Sequence, residues 1–321
     1  MGTSAHVIVT GPEHAIGGLL DRAVLRIDEL ERRWSRFVPS SEVSELTRRA
    51  GSFVRVSPDT RLLVERATEA YRLSGGSFDP TVLGDVIRAG YDRSFETLGA
   101  NPPAGLSALM TGCADIEIGA TGVRLPHGTG FDPGGIGKGL AADLVTHELV
   151  ELGATGACVN LGGDVRVRGE GPDDGGSWTV AIEHAWQSEP ITLLGVRDGA
   201  VATSTTLRRT WRRDGVEHHH LIDPGTGSPS SSDLNLAAVV ADQGWVAEIL
   251  AKAVLLRGAA HPFDLIGGSG AEALAVDVTG GVRCSAGFPA YTGGAPVPST
   301  ITHPALATAR AGTPGRTSDD Q

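Results

Sequence analysis

Apolar side chains recur along this chain at two different periods. Between Ala15 and Arg33, the residues Leu19, Leu20, Ala23, Ile27 and Leu30 fall at helical spacing, which predicts an entry helix behind a first strand at residues 3–10. A second helix is predicted after Ser57-Pro58-Asp59, where serine is a good N-cap and proline suits the first turn. Its apolar face runs through Leu62, Leu63, Ala67, Ala70 and Tyr71, and Gly75-Gly76 ends it, which places Ser77-Phe78-Asp79-Pro80-Thr81 on a loop.

Short alternating segments at 115–118 and 122–125 read as strands, and Gly130 to Gly139 reads as a glycine-rich turn ahead of a helix from about Lys138 to Leu152. Ala157–Asn160, Asp164–Arg168 and Trp178–Ile182 fit a strand-turn-strand pattern, with further strands near 191–196, 199–203 and 234–240. Val246, Ile249, Leu250, Ala253 and Val254 then mark a late helix near 244–257. Strands that mostly pair with near neighbours in sequence indicate an α+β fold with mixed or antiparallel sheets and packed helices. One domain is expected over 1–289. Residues 290–321, rich in Pro, Thr, Ala and Gly, are expected to form a flexible tail.

Composition narrows the function. Of 321 residues, 40% are hydrophobic, so a large core is available, and 45 are glycine, well above the usual ~7%. The glycines cluster in short runs, which suits tight turns and close approach of main chain to a ligand. A formal charge of −11 leaves no broad basic surface, so nucleic acid is not an expected partner. Cys113, Cys158 and Cys284 lie far apart without a zinc or disulfide spacing. No apolar run is long enough for a membrane helix, and the first twenty residues lack the basic start and apolar stretch of a secretory signal. No membrane insertion and a cytoplasmic setting are therefore expected.

The segment most suggestive of chemistry is Phe131-Asp132-Pro133-Gly134-Gly135-Ile136-Gly137-Lys138-Gly139, which opens into a helix and Asp143. Glycines there let backbone N–H groups approach phosphate oxygens, and the helix start and Lys138 add positive charge. The spacing matches neither the dinucleotide-fold nor the P-loop pattern, and on local sequence alone the turn serves packing equally well. His218-His219-His220-Leu221-Ile222-Asp223-Pro224-Gly225-Thr226-Gly227 reads as a turn. A histidine there suits phosphate polarisation or proton relay, while Asp223 equally suits turn capping. Phe78 with Asp79, and Trp34-Ser35-Arg36-Phe37, offer rings and charges suited to a heterocycle, but they are also ordinary core material.

Taken in order, these segments resemble the ApbE family of FAD:protein FMN transferases. The resemblance runs through Met1-Gly2-Thr3, Ser35-Arg36-Phe37 with Ser41-Glu42-Val43-Ser44, Gly75 to Thr81, and the glycine turn with Lys138 and Asp143. It continues through Asn160-Leu161-Gly162-Gly163-Asp164, Ala202-Thr203-Ser204, and His219 to Pro224 with Thr226-Gly227.

The resemblance implies FAD in a central cleft, touched by Met1, Phe37, Ser77, Phe78, Asp79, Asp132, Lys138 and Ile222, and transfer of its FMN half to a Ser or Thr hydroxyl of an acceptor protein with release of AMP. The catalytic set it suggests is His220, for proton handling, with Lys138 and Asp223. It also implies Mg2+ between the phosphates, held by the carbonyl of Gly135 and by an Asp and a Thr on the late helix. Those two positions are Glu248 and Lys252 here, and an ammonium has no lone pair to offer. Either Glu248 holds a rearranged magnesium site, or Lys252 brings positive charge where the ion would sit. Two rival readings use the same ligand: an FAD pyrophosphatase releasing FMN and AMP, and a flavin-binding protein without chemistry.

Overall fold

The computed structural model of the protein describes residues 3–99, 102, 105, 107–172, 176–213 and 215–302. The chain opens with β1 (Ala5–Thr10) and α1 (Glu13–Trp34), followed by α2 (Glu42–Arg48), α3 (Pro58–Leu73) and α4 (Leu83–Arg88). A small hairpin of β2 (Glu117–Gly119) and β3 (Gly122–Arg124) leads to α5 (Gly137–Glu151). Then come β4 (Gly156–Leu161), β5 (Asp164–Gly169), β6 (Trp178–Ile182), β7 (Thr192–Val196) and β8 (Gly199–Thr205). The remainder comprises β9 (Thr210–Arg213), β10 (Val216–His219), β11 (Ile222–Asp223), β12 (Ser228–Pro229), β13 (Leu234–Ala241), α6 (Gly244–Arg257), β14 (Glu272–Asp277) and β15 (Val282–Cys284).

Local chemistry explains several of these boundaries. The Ser57 hydroxyl accepts from the Thr60 N–H at 3.3 Å, Pro58 starts α3, and Asp59 in the first turn is gripped by Arg26 of α1 at 2.7 and 2.8 Å. Ser41 opens α2 in the same way, accepting from Ser44 N–H at 3.1 Å. The start of α6 has no side-chain cap of its own. The Asp143 carboxylate of α5 supplies it, accepting from Gly244 N–H at 2.7 Å and Trp245 N–H at 3.1 Å.

The sheet that organises the molecule has seven strands in the order β1-β4-β5-β8-β13-β14-β15, and all neighbours are antiparallel. One face carries α1, α5 and α6, with α3 packed against α1 and α6. Ala200, Ala202, Ala237, Ala273 and Ala275 belong to the core on that side, and such small side chains let a helix lie close to the strands. Residues of α6 are buried around its whole circumference, as suits a sequence that is apolar apart from Glu248, Lys252 and the terminal Arg257. The opposite face is covered by the β6–β7 hairpin and Phe288, which bury Trp178, Ile182, Leu194 and Val196 against Leu236, Val240 and Val276. Central strand β13 is therefore buried on both sides.

The expected α+β architecture is the one observed, and the expected strands lie within a few residues of their places. Two expectations change. The histidine run is not wholly a turn: His218 and His219 belong to β10, the chain bends at His220, and the hydrogen-bonded turn comes after Asp223. The tail does not start at 290, because Ile301 is buried, its N–H donates to Gly280 O at 2.8 Å, and Val282 N–H donates to Ser299 O at 2.8 Å. Residues 303–321 lie outside the described residues. No described helix is long and apolar enough to cross a membrane.

Candidate functional site

Two loops meet in front of α5 and build the floor of a cleft. The Asp132 N–H donates to Pro80 O at 2.6 Å, tying the glycine turn to the 77–81 loop. In that loop Asp79 accepts from Thr81 N–H at 2.7 Å, and Phe78 N–H donates to the buried Ser74 hydroxyl at 2.9 Å. The Phe78 ring then rests on Gly135, where an added Cβ would come within 3.1 Å of it. A side chain at 135 would press this ring by a few tenths of an ångström, so glycine gives the closest seat.

The first compartment of the cleft, of about 120 Å3, is an apolar slot. Phe37, Phe78, Val82, Val86, Tyr91 and Ile222 line it, with Asp79 and Asp132 at its polar edge. Arg36, itself in the lining, stacks over Phe37 at 4.2 Å and Tyr91 at 4.8 Å and pairs with Asp132 at 3.4 Å, which fixes the aromatic wall. Such a slot with a few fixed polar groups suits a flat heterocycle.

The second compartment, of about 420 Å3, is a more polar groove beside Asn160, Asp164, Thr203, Ser204, Thr205, Glu183 and Arg208. The two share Gly134, Gly135, Lys138, Arg209, His220, Leu221 and Lys252 in their walls. This junction therefore concentrates cations and glycine main chain.

The glycine turn is more self-contained than its sequence suggested. Gly134 N–H is taken by Asp132, Ile136 and Gly137 by Pro133 O, and Gly139 by Glu248 Oε2 at 2.8 Å. Within the turn, the N–H groups of Gly135 and Lys138 have no acceptor among the described residues. Lys138 is also committed: its ammonium is bonded to both Asp164 and Glu248. Burial opposes the charge on Lys138, yet the two carboxylates outweigh it and raise its pKa. The carboxyl of Glu248 is itself pushed up by burial and by Asp164, against the pull of Lys138.

Lys252 stands one turn after Glu248 on α6 and is only 8% exposed. Its stem runs past Gly135, and its ammonium lies 5.6 Å from the centre of the Phe78 ring. His220 is half-buried at the junction, and its buried Nδ1 has no hydrogen-bond partner among the described residues. Burial, reinforced by Arg209, His219, Lys252 and Lys138, holds its pKa well below the usual histidine value, so the ring is neutral near pH 7. His219, in contrast, is structural: Nε2–H donates to Ser230 O at 3.0 Å and Nδ1 accepts from Leu221 N–H at 3.3 Å.

Of the expected flavin contacts, Phe37, Phe78, Asp79, Asp132, Lys138 and Ile222 come together around the slot. Ser77 lines neither compartment, and its N–H donates to Ser74 O at 3.2 Å. Met1 lies outside the described residues. Asp223 also lines neither compartment; it accepts from Gly225 N–H at 2.8 Å and so caps the turn. Tyr91 and Arg209 were missed. Tyr91 carries no local signal, whereas Arg209 adopts a left-handed φ of 52°, the one positive φ outside glycine among the described residues.

A divalent cation held by Gly135 and Glu248 does not suit these residues. Both Glu248 oxygens are already engaged, and two ammonium groups stand beside the place an ion would take. No group of three or more His, Cys, Asp and Glu side chains with metal-holding geometry exists among the described residues.

The chain resembles known proteins over most of its length. It is 30% identical over 298 residues to the FAD:protein FMN transferase of Treponema pallidum, covering 86% of this chain and 82% of that protein. It is 26% identical over 299 residues to the FAD:protein FMN transferase of Vibrio cholerae, covering 91% and 88%. The crystal structure of the ApbE protein from Thermotoga maritima has the same fold, with a TM-score of 0.79 at 24% identity over 91% of this chain and 96% of that one. With residues 1–275 also matching the family model described as the ApbE family, the chain belongs to the ApbE family.

Proposed function

We propose that the protein is an FAD:protein FMN transferase, moving FMN from FAD onto a Ser or Thr hydroxyl of an acceptor protein with release of AMP. The observation that carries this reading is the continuity of an aromatic slot, a cationic glycine-lined junction and an open polar groove. A flavin ring fits the first, a diphosphate the second, and the groove leaves room for a polypeptide segment. The curated relatives bear the same activity in their names.

The reaction needs alignment and charge neutralisation more than covalent help from the protein. The acceptor oxygen forms an ester bond to the flavin-side phosphorus, the bond from that phosphorus to the bridging oxygen breaks, and AMP departs. The hydroxyl proton passes to a base, a role we assign to His220, whose Nδ1 has no partner among the described residues and whose ring starts neutral. The negative phosphates bound beside it raise its affinity for that proton. Lys138, fixed by Asp164 and Glu248, keeps the groups under the turn in register.

Incubation of the protein with FAD and a candidate acceptor tests this reading by mass spectrometry. A gain of one FMN on the acceptor, with AMP released in equal amount, is the expected result. Free FMN and AMP without labelled protein would make it a pyrophosphatase, and unaltered FAD with every acceptor tried would remove the assignment.

A further inference from the structure

We infer that Lys252 takes the place of a divalent cation, its ammonium neutralising the FAD diphosphate at the junction of the two compartments so that FAD binds without metal. This deepens the functional reading above and rests on it. Three observations lead here. First, Lys252 is buried at the junction, and among the described residues its ammonium forms no ion pair or hydrogen bond, only the contact with the face of Phe78. A buried cation without a fixed counterion is costly, and an anionic ligand removes that cost.

Second, the other junction lysine is spent, because Lys138 is bonded to Asp164 and Glu248. Third, both oxygens of the carboxylate one turn before Lys252 are already engaged: Glu248 takes Lys138 on one and Gly139 N–H on the other. An ammonium supplies charge and three donors to phosphate oxygens, and the unsatisfied N–H groups of Gly135 and Lys138 add two more. Burial lowers the pKa of Lys252, while Asp132, Asp79, Glu248 and Asp223 oppose that shift and support the charged form.

The test is a titration of FAD, followed by flavin fluorescence quenching, in EDTA and in excess Mg2+, with riboflavin as the ligand lacking phosphate. Wild-type protein should bind FAD with affinities that agree within about twofold in the two conditions. Lys252→Met should weaken FAD binding by at least about tenfold in EDTA and leave riboflavin binding unchanged, which also reports an intact slot. FAD binding by the wild type only when Mg2+ is present overturns the inference and leaves the functional reading standing. An equal loss of FAD and riboflavin binding in Lys252→Met, or no loss of either, overturns it as well. Failure of the wild type to bind FAD in both conditions overturns the inference and the functional reading together.

Discussion

The contact between the first turns of α5 and α6 makes a prediction about one methyl group. In Gly139→Ala the new Cβ would sit 2.3 Å from Gly244 O, 2.4 Å from its carbonyl carbon and 2.8 Å from Trp245 N. All three are backbone atoms, so no side chain can swing aside. To reach an ordinary contact distance the two helix starts must part by roughly 1 Å, in a core whose packing leaves no slack. Overpacking costs about 1–3 kcal/mol, and a rigid backbone neighbour puts this case at the upper end. Parting the helices also strains the buried bond from Gly139 N–H to Glu248 Oε2, at 2.8 Å. A bond to a charged group is worth about 1.5–3 kcal/mol, so a combined loss of about 4 kcal/mol is expected.

Urea unfolding followed by circular dichroism measures this directly. Gly17→Ala is the control: Gly17 is exposed inside α1, a Cβ there meets nothing within 4 Å, and a gain of about 0.5–1 kcal/mol is expected. Opposite signs for the same chemical change support the close-approach argument. A loss below about 1 kcal/mol in Gly139→Ala would refute it.

Further outcomes follow from the buried charges and the slot. Lys138→Met leaves Asp164 and Glu248 together without their cation, and a loss of about 3–5 kcal/mol near neutral pH is expected in urea unfolding. That deficit relative to wild type should shrink on acidification as Glu248, whose carboxyl burial pushes up to about 7, gains its proton, and a pH-independent deficit would count against the ion-pair account. His220 is held neutral below its usual value of 6.5, so the unfolded chain binds its proton first as pH falls. The stability tied to this ring is therefore complete above about pH 6.5 and is lost below it, by about 1.4 kcal/mol near pH 5.5. His220→Gln should lose correspondingly less between about pH 7.5 and pH 5.5, and an identical slope in both proteins would defeat the assignment. Asp79→Asn preserves an acceptor for Thr81 N–H but removes the charge at the slot edge. FAD affinity measured by fluorescence quenching should fall by at least about tenfold, and unchanged affinity would take Asp79 out of the flavin site.

Much of the local framework was legible in the sequence. Ser57-Pro58 started α3 as its capping chemistry dictates, and the glycine turn before Lys138 opened α5 where expected. The apolar Val246, Ile249, Leu250 and Val254 marked α6, because period and composition act within a few residues. Helix α2 escaped notice because its seven residues are too few to show a period. The outer strands β14 and β15 escaped because short apolar runs carry little signal about sheet membership.

The site divides along the same line. By itself the sequence determined a glycine-rich turn, an aromatic and acidic loop and the turn at Asp223-Pro224, each set by backbone preferences that neighbouring residues satisfy, whereas the strand that holds His218 and His219 was set by pairing with β9. Only the tertiary structure decided which charges meet. Lys138 finds Asp164 and Glu248, 26 and 110 residues away, and is neutralised by them. It also carried Tyr91 and Arg209 into the cleft, took Asp223 out of it, and left Lys252 as the buried ammonium at the junction. These outcomes depend on desolvation and on contacts closed by the whole sheet and its helices, and neither is encoded within a few residues of any one of them.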